Sequence, residues 1–235
     1  MTCRRPQADS DRYARTGWCR RFHAWLLSKH NSRYERTVTE FKRGLLGDLR
    51  GDILEIGPGG GVNLPYYPAG IRWAGIEPNV FMHRYLREKA RSLDVSVDLR
   101  TGIAEEIGFE DGSFDAVVTT LVLCSVSDLA LSLQEISRVL RPGGRFVFIE
   151  HVAAPDDTGT RRAQRWIRPF WKVIGDGCRP DRETWTAIEQ AGFANVNIQH
   201  FRVPFPIVGP HIRGVAVKNS CWRPDSSASP PPLLP

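Results

Sequence analysis

The sequence contains no closely spaced cysteine pair. Its five cysteines are Cys3, Cys19, Cys124, Cys178 and Cys221, so their number is odd and no two of them form a CxxC motif. This usage is typical of proteins that stay in a reducing compartment. We therefore predict a cytoplasmic location, and we predict no metal site.

The sequence also lacks a long apolar run. No stretch reaches the roughly 18 residues that a membrane-spanning helix needs, and the longest, around 116–126, is interrupted by Thr119, Thr120 and Ser125. The first 30 residues are rich in arginine and have no apolar core typical of a signal peptide. We expect neither a transmembrane segment nor a secretion signal.

Excess positive charge is confined to the N-terminal region. Residues 1–50 carry 12 Lys/Arg and 5 Asp/Glu, a net charge of +7, whereas residues 51–235 carry a net charge of −1. An enzyme of nucleic acids more often has its positive surface on the domain itself, so we predict no nucleic-acid partner. An amphipathic stripe in the basic region is formed by Trp18, Phe22, Trp25 and Leu26. A lid, a packed helix and a peripheral contact with an anionic membrane are all compatible with this stripe.

Three regions differ in composition. Residues 1–33 form the basic arm, residues 34–220 have the pattern of one domain, and residues 221–235 form a Pro/Ser-rich tail that we predict to be disordered. Strands are predicted at 53–56, 73–76, 95–99, 116–123, 146–149, 196–201 and 214–217. Helices are predicted at 34–49, 81–93, 129–140 and 182–191, and a polar Arg- and Trp-rich stretch at 155–180 has no assigned element. Because the strands are continuously apolar, they predict a parallel sheet that helices cover on both faces.

The stretch LEIGPGGGVNLPYYP, residues 54–68, places glycines directly after the first strand. Glycine permits positive φ and lets a ligand approach the backbone, and we expect a helix after Gly61 to point its N-terminus at that ligand. Glu77, twenty residues after Gly57, ends the second strand. Its carboxylate can accept hydrogen bonds from both hydroxyls of an adenosine ribose, as in dinucleotide sites.

Two more segments complete a set of four blocks: TGIAEEIGFEDGSFDAVVTT at 101–120 and LRPGGRFVFIEHV at 140–152. In this order and spacing the blocks resemble class I S-adenosylmethionine-dependent methyltransferases. The resemblance implies an α/β, Rossmann-like fold with a seven-stranded, mostly parallel sheet, and S-adenosylmethionine as the cofactor. The cofactor-binding residues that it implies are Glu55, Gly57, Gly59, Gly61, Glu77, Ala104, Glu105 and Thr120.

The resemblance also assigns these residues to parts of the cofactor. The glycine backbone would lie against the methionine part, with Thr120 near the same end, and Glu77 would bind the ribose. Ala104 and Glu105 would line the adenine pocket. Many members have Asp or Asn where this chain has Ile103, so Glu105 is expected to supply the contact with the adenine amino group.

The blocks TLVLCSV, FIEHVAAP, IGDGC, RETW and VGPHI follow in that order. They resemble the methyltransferase-like seven family, whose animal members are thiol S-methyltransferases, from about residue 42 to residue 218. The resemblance implies a small-molecule acceptor, an alkyl thiol above all. The animal members begin with a hydrophobic membrane anchor and this chain begins with an arginine-rich stretch, so their membrane placement does not transfer.

His151 follows the fifth strand at the edge where such sheets bind ligands, and it is our predicted general base. Further candidates for the acceptor pocket are Cys124, Asp176, Cys178 and His211, with an apolar wall from Trp166, Phe170 and Trp171. Each also has a structural explanation, as a small buried side chain, a turn residue or core packing. Two alternative functions stay open: methylation of a lipid headgroup, a quinone or another O or N acceptor, and a non-catalytic module that binds the cofactor or a membrane.

Overall fold

A computed structural model describes residues 32–174 and 177–220. The N-terminal arm up to residue 31, Asp176 and the tail 221–235 lie outside these ranges. The predictions made for these residues therefore lie outside the described part of the chain.

In the described part of the chain, five α-helices and seven strands alternate. The helices are α1 (Ser32–Leu46), α2 (His83–Ser92), α3 (Leu129–Val139), α4 (Gly159–Ile174) and α5 (Thr184–Gln190). The strands are β1 (Asp52–Ile56), β2 (Arg72–Ile76), β3 (Val97–Arg100), β4 (Phe114–Thr120), β5 (Leu140–His151), β6 (Asn195–Arg202) and β7 (Pro210–Val217). None of the described helices is long and apolar enough to cross a membrane.

The strands form one sheet in the order β3-β2-β1-β4-β5-β7-β6. The first five strands are parallel, and β7 runs antiparallel to both β5 and β6. The predicted fold with a seven-stranded, mostly parallel sheet is confirmed. Because the order reverses between β1 and β4, their carboxyl ends open the crevice in which such sheets bind ligands.

Both faces of the central strands are buried, which explains their continuous apolar sequence. Leu54 of β1 belongs to a core cluster with Ile136 of α3. The adjacent Ile53 faces the opposite side, where it packs in a cluster with Leu46 at the end of α1. Full burial of such a side chain stabilises the fold by about 1.5–3 kcal/mol, so the sheet provides a rigid base for the loops at its edge.

The chain after Gly61 differs from the prediction. A short 3₁₀ helix, Leu64–Tyr66, replaces the expected α-helix. Pro65 in its first turn has no N–H, and Pro68 comes two residues after its end, so α-helical hydrogen bonding cannot continue through this segment. The prediction of an α-helix N-terminus directed at the ligand is therefore wrong.

Four other elements also differ from the prediction. The stretch without an assigned element contains α4, whose apolar periodicity was hidden by Pro169 inside the helix and by exposed aromatic residues. Strand β4 ends at Thr120 because Leu121 has a φ of +58°, which takes the chain out of the sheet. Strands β5 and β7 extend further than predicted, since they pair with each other over their whole common length from Arg145 to His151.

Candidate active site

A cavity of about 1220 Å³ lies at the carboxyl edge of the sheet. Loops after β1, β2, β3, β4 and β5 line it, together with α1 and the segment before β7. Sites for one small molecule commonly measure about 300–1,000 Å³, so this cavity is larger than most sites for a single small molecule. We call the part of the lining around Glu77, where the cofactor is expected, the cofactor half, and the part around His151, where the acceptor is expected, the acceptor half.

The glycine loop has backbone conformations that only glycine adopts without strain. Gly57, Gly59 and Gly61 have φ values of +62°, +54° and +80°. A Cβ on Gly57 would lie 2.7 Å from Cγ2 of Val122, and one on Gly61 would lie 2.9 Å from Cδ1 of Leu64. All three glycines line the cavity, so the loop presents backbone without side chains to it, as a close approach of the cofactor requires.

Glu77 is buried at the end of β2, and both of its carboxylate oxygens are oriented by backbone donors. The amide of Gly59 donates to Oε2 at 3.0 Å, and the amide of Asn79 donates to Oε1 at 2.8 Å. A carboxylate oxygen can accept more than one hydrogen bond. The oriented carboxylate thus fits the two hydroxyls of a ribose, and it also ties the glycine loop to β2.

Glu55 has a different position from the one predicted. It is buried behind the loop and does not line the cavity. Its carboxylate accepts hydrogen bonds from Asn63 Nδ2 at 2.8 Å, Tyr67 Oη at 2.8 Å and Trp73 Nε1 at 3.1 Å. Burial raises its pKa. We therefore correct the prediction of direct cofactor contact: Glu55 supports the loop from behind.

Thr120 lines the cavity and is linked to this support, while its place near the methionine end of the cofactor stays a prediction. Asn63 Nδ2 donates to Thr120 Oγ1 at 3.0 Å as well as to Glu55, while Asn63 Oδ1 is buried without a partner among the described residues. Asn63 was not singled out from the sequence. The tripeptide NLP after the glycines indicated a turn at this position, because Asn readily occupies turns.

The predicted adenine end of the cavity is formed by Ile103, Ala104 and Glu105, all of which line it. Glu105 Oε1 accepts hydrogen bonds from the amides of Ser127 at 2.6 Å and Asp128 at 3.3 Å. One oxygen of this carboxylate is therefore used to fix the start of α3. Its contact with an adenine amino group stays a prediction.

The acceptor half contains a compact group of buried sulfur and nitrogen atoms. His151 Nε2 lies 2.7 Å from Cys178 Sγ, and Cys124 Sγ lies 3.5 Å from the carbonyl oxygen of Leu121. Cys124 and Cys178 are free thiols. A hydrogen bond from Cys178 lowers the pKa of Cys124 despite its burial, and the same bond raises the pKa of Cys178.

His211 and Tyr34 complete this half of the lining. Since the carbonyl oxygen of Gly209 can only accept, His211 Nδ1 donates to it at 3.1 Å and leaves a lone pair on Nε2. That Nε2 and the Tyr34 hydroxyl are buried without partners among the described residues. Burial lowers the pKa of His211 to about 4, so the ring is neutral at physiological pH. The sequence contained no indication that Tyr34, at the start of α1, reaches the cavity.

Glu150 holds the loop between the two halves. Its carboxylate accepts hydrogen bonds from the amides of Val122 at 3.2 Å and Leu123 at 3.1 Å, directly after the strained Leu121. Burial raises its pKa to about 8. Sequence reasoning missed this residue, although it directly precedes His151.

The aromatic wall is reduced to one residue. Trp166 and Phe170 of α4 are 77% and 62% exposed and do not line the cavity, whereas Trp171 does. Trp166 and Phe170 are four residues apart and share one side of α4, where their rings lie 6.4 Å apart, whereas Trp171 faces another side. The prediction of an apolar acceptor wall is wrong for Trp166 and Phe170 and stays a prediction for Trp171.

Comparisons with known proteins agree with this geometry. Residues 54–148 match the family described as a methyltransferase domain. Thiol S-methyltransferase TMT1A of Homo sapiens is 37% identical over 213 residues, which cover 85% of this chain and 87% of the relative. Thiol S-methyltransferase TMT1B of Mus musculus is 38% identical with the same coverage. A solved SAM-dependent methyltransferase of Thermotoga maritima, 23% identical, aligns with a TM-score of 0.61 over 84% of this chain and 95% of its own.

Proposed function

The chain belongs to the thiol S-methyltransferase family of S-adenosylmethionine-dependent methyltransferases, and we propose that its own acceptor is a small, uncharged alkyl thiol or hydrogen sulfide. The transfer reaction and the cofactor follow from the family and the fold. The observation that carries the choice of acceptor is the similarity to thiol S-methyltransferases, which extends over 85% of the chain and beyond the 54–148 methyltransferase match.

The described residues fit S-adenosylmethionine. The glycine loop offers bare backbone, and the oriented carboxylate of Glu77 lies next to it. When bound, the cofactor supplies a methyl group activated by a positive sulfur. In this proposal Glu77 accepts hydrogen bonds from the ribose, Ala104 and Glu105 flank the adenine, and Thr120 lies near the methionine end.

A thiol acceptor requires little from the protein besides alignment and exclusion of water. A free thiol with a pKa of about 8.5 is a few per cent thiolate at neutral pH, and the thiolate is the nucleophile. The acceptor half combines the buried side chains of Cys124, His151 and His211 with the half-buried, apolar Trp171, Val208 and Phe205. Such a site favours a small apolar thiol over a charged amine, because a charge would lose its water there.

His151 is our predicted general base, and its geometry sets a condition on that role. Nε2 is engaged with Cys178 Sγ at 2.7 Å, so it can take a proton from an acceptor only after it leaves that sulfur. His211 offers a free Nε2 lone pair, but with a pKa of about 4 it is a weak base. We propose that His211 accepts a hydrogen bond from the acceptor or a water.

Release of S-adenosylhomocysteine, measured with a panel of acceptors, tests the proposal. We expect alkyl thiols and sulfide to be turned over and matched alcohols, amines, phenols, quinols and phosphatidylethanolamine to react far more slowly. Turnover of an amine, quinol or lipid headgroup with every thiol untouched would refute the thiol proposal and leave a methyltransferase. Cofactor binding without turnover of any acceptor would favour a non-catalytic binding module.

We also propose a cytoplasmic protein whose N-terminal arm makes a peripheral contact with anionic membranes and which does not act on nucleic acids. The arm lies outside the described residues, and the support is its sequence: the net charge of +7 in residues 1–50 and the stripe that begins at Trp18. Sedimentation with acidic vesicles at low and moderate salt tests it. Failure to bind at low salt, with full activity after deletion of residues 1–33, would contradict this role.

A further inference from the structure

We propose that Cys124, His151 and Cys178 bind one Zn²⁺ ion, with a fourth coordination position open to the acceptor. The site goes beyond the methyltransferase activity, and the role of its fourth position rests on the proposed thiol acceptor. The sequence predicted no metal site, because the three residues have no metal-binding spacing and meet only in the folded chain.

The geometry brings three ligand atoms together. One atom from each residue lies within 4.8 Å of the other two, and all three residues are buried. They come from three segments, the loop after β4, the end of β5 and the chain after α4. Ligand atoms around a tetrahedral zinc lie roughly 3.4–3.8 Å apart, given bond lengths of about 2.0–2.3 Å. The 2.7 Å contact between His151 and Cys178 would therefore have to open by about 1 Å on binding.

The donor set selects the kind of metal. Two thiolates and an imidazole are soft or intermediate ligands, which suit zinc and do not suit Mg²⁺ or Ca²⁺. Two thiolate charges also neutralise a divalent ion, so binding would place no net charge in a buried site. Both thiols have to lose their protons, which makes binding proton-releasing.

The position of the cluster indicates a catalytic role. Structural zinc sites usually have four protein ligands, whereas catalytic sites have three and an open position. All three residues line the cavity, so the missing ligand faces the space assigned to the acceptor. A thiol that coordinates zinc there would be deprotonated, and its proton would pass to solvent.

The transfer step then balances without another reactant. The metal-bound acceptor sulfur attacks the methyl carbon, a new sulfur–carbon bond forms, and the bond from that carbon to the cofactor sulfur breaks with its electron pair remaining on S-adenosylhomocysteine. In this arrangement His151 is a ligand and not a base, because its Nε2 lone pair is held by the metal. The two roles exclude each other and can be tested separately.

Metal content is the direct test. The full chain would be prepared with Cys3, Cys19 and Cys221 replaced by serine, so that Cys124 and Cys178 are the remaining thiols. We expect one tightly held zinc per chain by elemental analysis, and a thiolate-to-cobalt charge-transfer band after exchange with Co²⁺. Adding Cys124→Ser, Cys178→Ser or His151→Gln should abolish stoichiometric binding. His200→Gln, which changes an exposed histidine of β6, should retain it.

Two outcomes would overturn the site. One is a folded protein, shown by calorimetric binding of S-adenosylmethionine, that takes up no zinc or cobalt. The other is the loss of both free thiols before reduction, which would identify Cys124 and Cys178 as a disulfide. Because cofactor binding serves as the folding control, a variant that merely misfolds is recognised.

Activity measurements test the role of the metal separately from the identity of the acceptor. We expect thiol methylation to fall at least tenfold in chelated protein and to return with zinc. Equal rates with and without zinc would overturn the role of the fourth position and leave the thiol proposal standing. Stoichiometric zinc in a protein that methylates no thiol would support the site and contradict the proposed acceptor.

Discussion

The two halves of the cavity differ in how their buried polar groups are satisfied. In the cofactor half, Glu77 accepts from two backbone amides. Behind this half, Glu55 accepts from three side chains, while Asn63 Oδ1 is buried without a partner among the described residues. In the acceptor half, the Tyr34 hydroxyl, His151 Nδ1 and His211 Nε2 are buried without partners among the described residues. A buried polar atom without a partner costs about 1–3 kcal/mol. The cofactor half is therefore preorganised, whereas the acceptor half keeps hydrogen-bonding capacity for a ligand or water.

The largest expected effect comes from filling the glycine loop. Gly57→Val should weaken S-adenosylmethionine binding more than ~100-fold, because the new side chain meets Val122 and the positive φ adds about 1–2 kcal/mol of strain. Calorimetry with the cofactor measures this. Gly60→Ala is the matched control, since its Cβ would lie at an ordinary 3.7 Å from Tyr85 and its affinity should change little. Equal losses in both variants would show that the loop does not hold the cofactor through its backbone.

The second effect concerns the carboxylate beside that loop. Glu77→Ala should weaken cofactor binding about 10- to 150-fold, since a charged hydrogen bond contributes about 1.5–3 kcal/mol. The same calorimetric titration applies, with Glu110→Ala as the control at an exposed loop position. An unchanged affinity for Glu77→Ala would show that Glu77 does not bind the ribose of the cofactor. If the protein bound NAD more tightly than S-adenosylmethionine, an oxidoreductase would be indicated instead.

The glycine loop and Glu77 also show how much of the site could be predicted from the sequence. The glycine loop and Glu77 follow strands directly, so local pattern and spacing were enough to place them. Glu55 lies within β1, and whether its carboxylate points to the cavity or to Asn63, Tyr67 and Trp73 is decided by packing. The fold itself was predictable because continuous apolar strands alternate with helices.

The acceptor half was less predictable for a physical reason. Cys124, His151 and Cys178 are far apart in the chain: Cys124 follows β4 and His151 ends β5 at one edge of the sheet, and Cys178 reaches them from the chain after α4. The exposure of Trp166 depends on the direction of α4, which its composition did not reveal. Sequence patterns therefore identified candidates here without showing which of them come together.

A third variant, Glu55→Ala, tests whether Glu55 supports the glycine loop or contacts the cofactor. Glu55→Ala should lower the free energy of unfolding by about 2–3 kcal/mol, because it leaves the buried donors of Asn63, Tyr67 and Trp73 unpaired. Cofactor affinity of the folded protein should fall less than for Glu77→Ala. Denaturant unfolding and calorimetry, compared for the two variants, separate the roles. A larger loss of cofactor affinity for Glu55→Ala than for Glu77→Ala would indicate that Glu55 contacts the cofactor directly.

The smallest effect is expected in the acceptor half. Tyr34→Phe removes a hydroxyl that has no partner among the described residues, so stability should be unchanged or slightly higher. Cofactor affinity should also be unchanged, while KM for the acceptor should shift only a few-fold. Steady-state kinetics and denaturant unfolding would detect either change. Destabilisation comparable with that of Glu55→Ala would mean that the buried polar groups of the two halves are equally well hydrogen-bonded.

The identity of the methylated atom tests the central claim most directly. Protein incubated with S-adenosylmethionine that carries a deuterated methyl group would be given an alkyl thiol and, separately, the alcohol of the same chain length, with product analysis by mass spectrometry. The account predicts the deuterated thioether in equal amount to S-adenosylhomocysteine and no ether, with both products abolished by Gly57→Val. A label found on an amine or a quinol, with the thiol recovered unchanged, would contradict it.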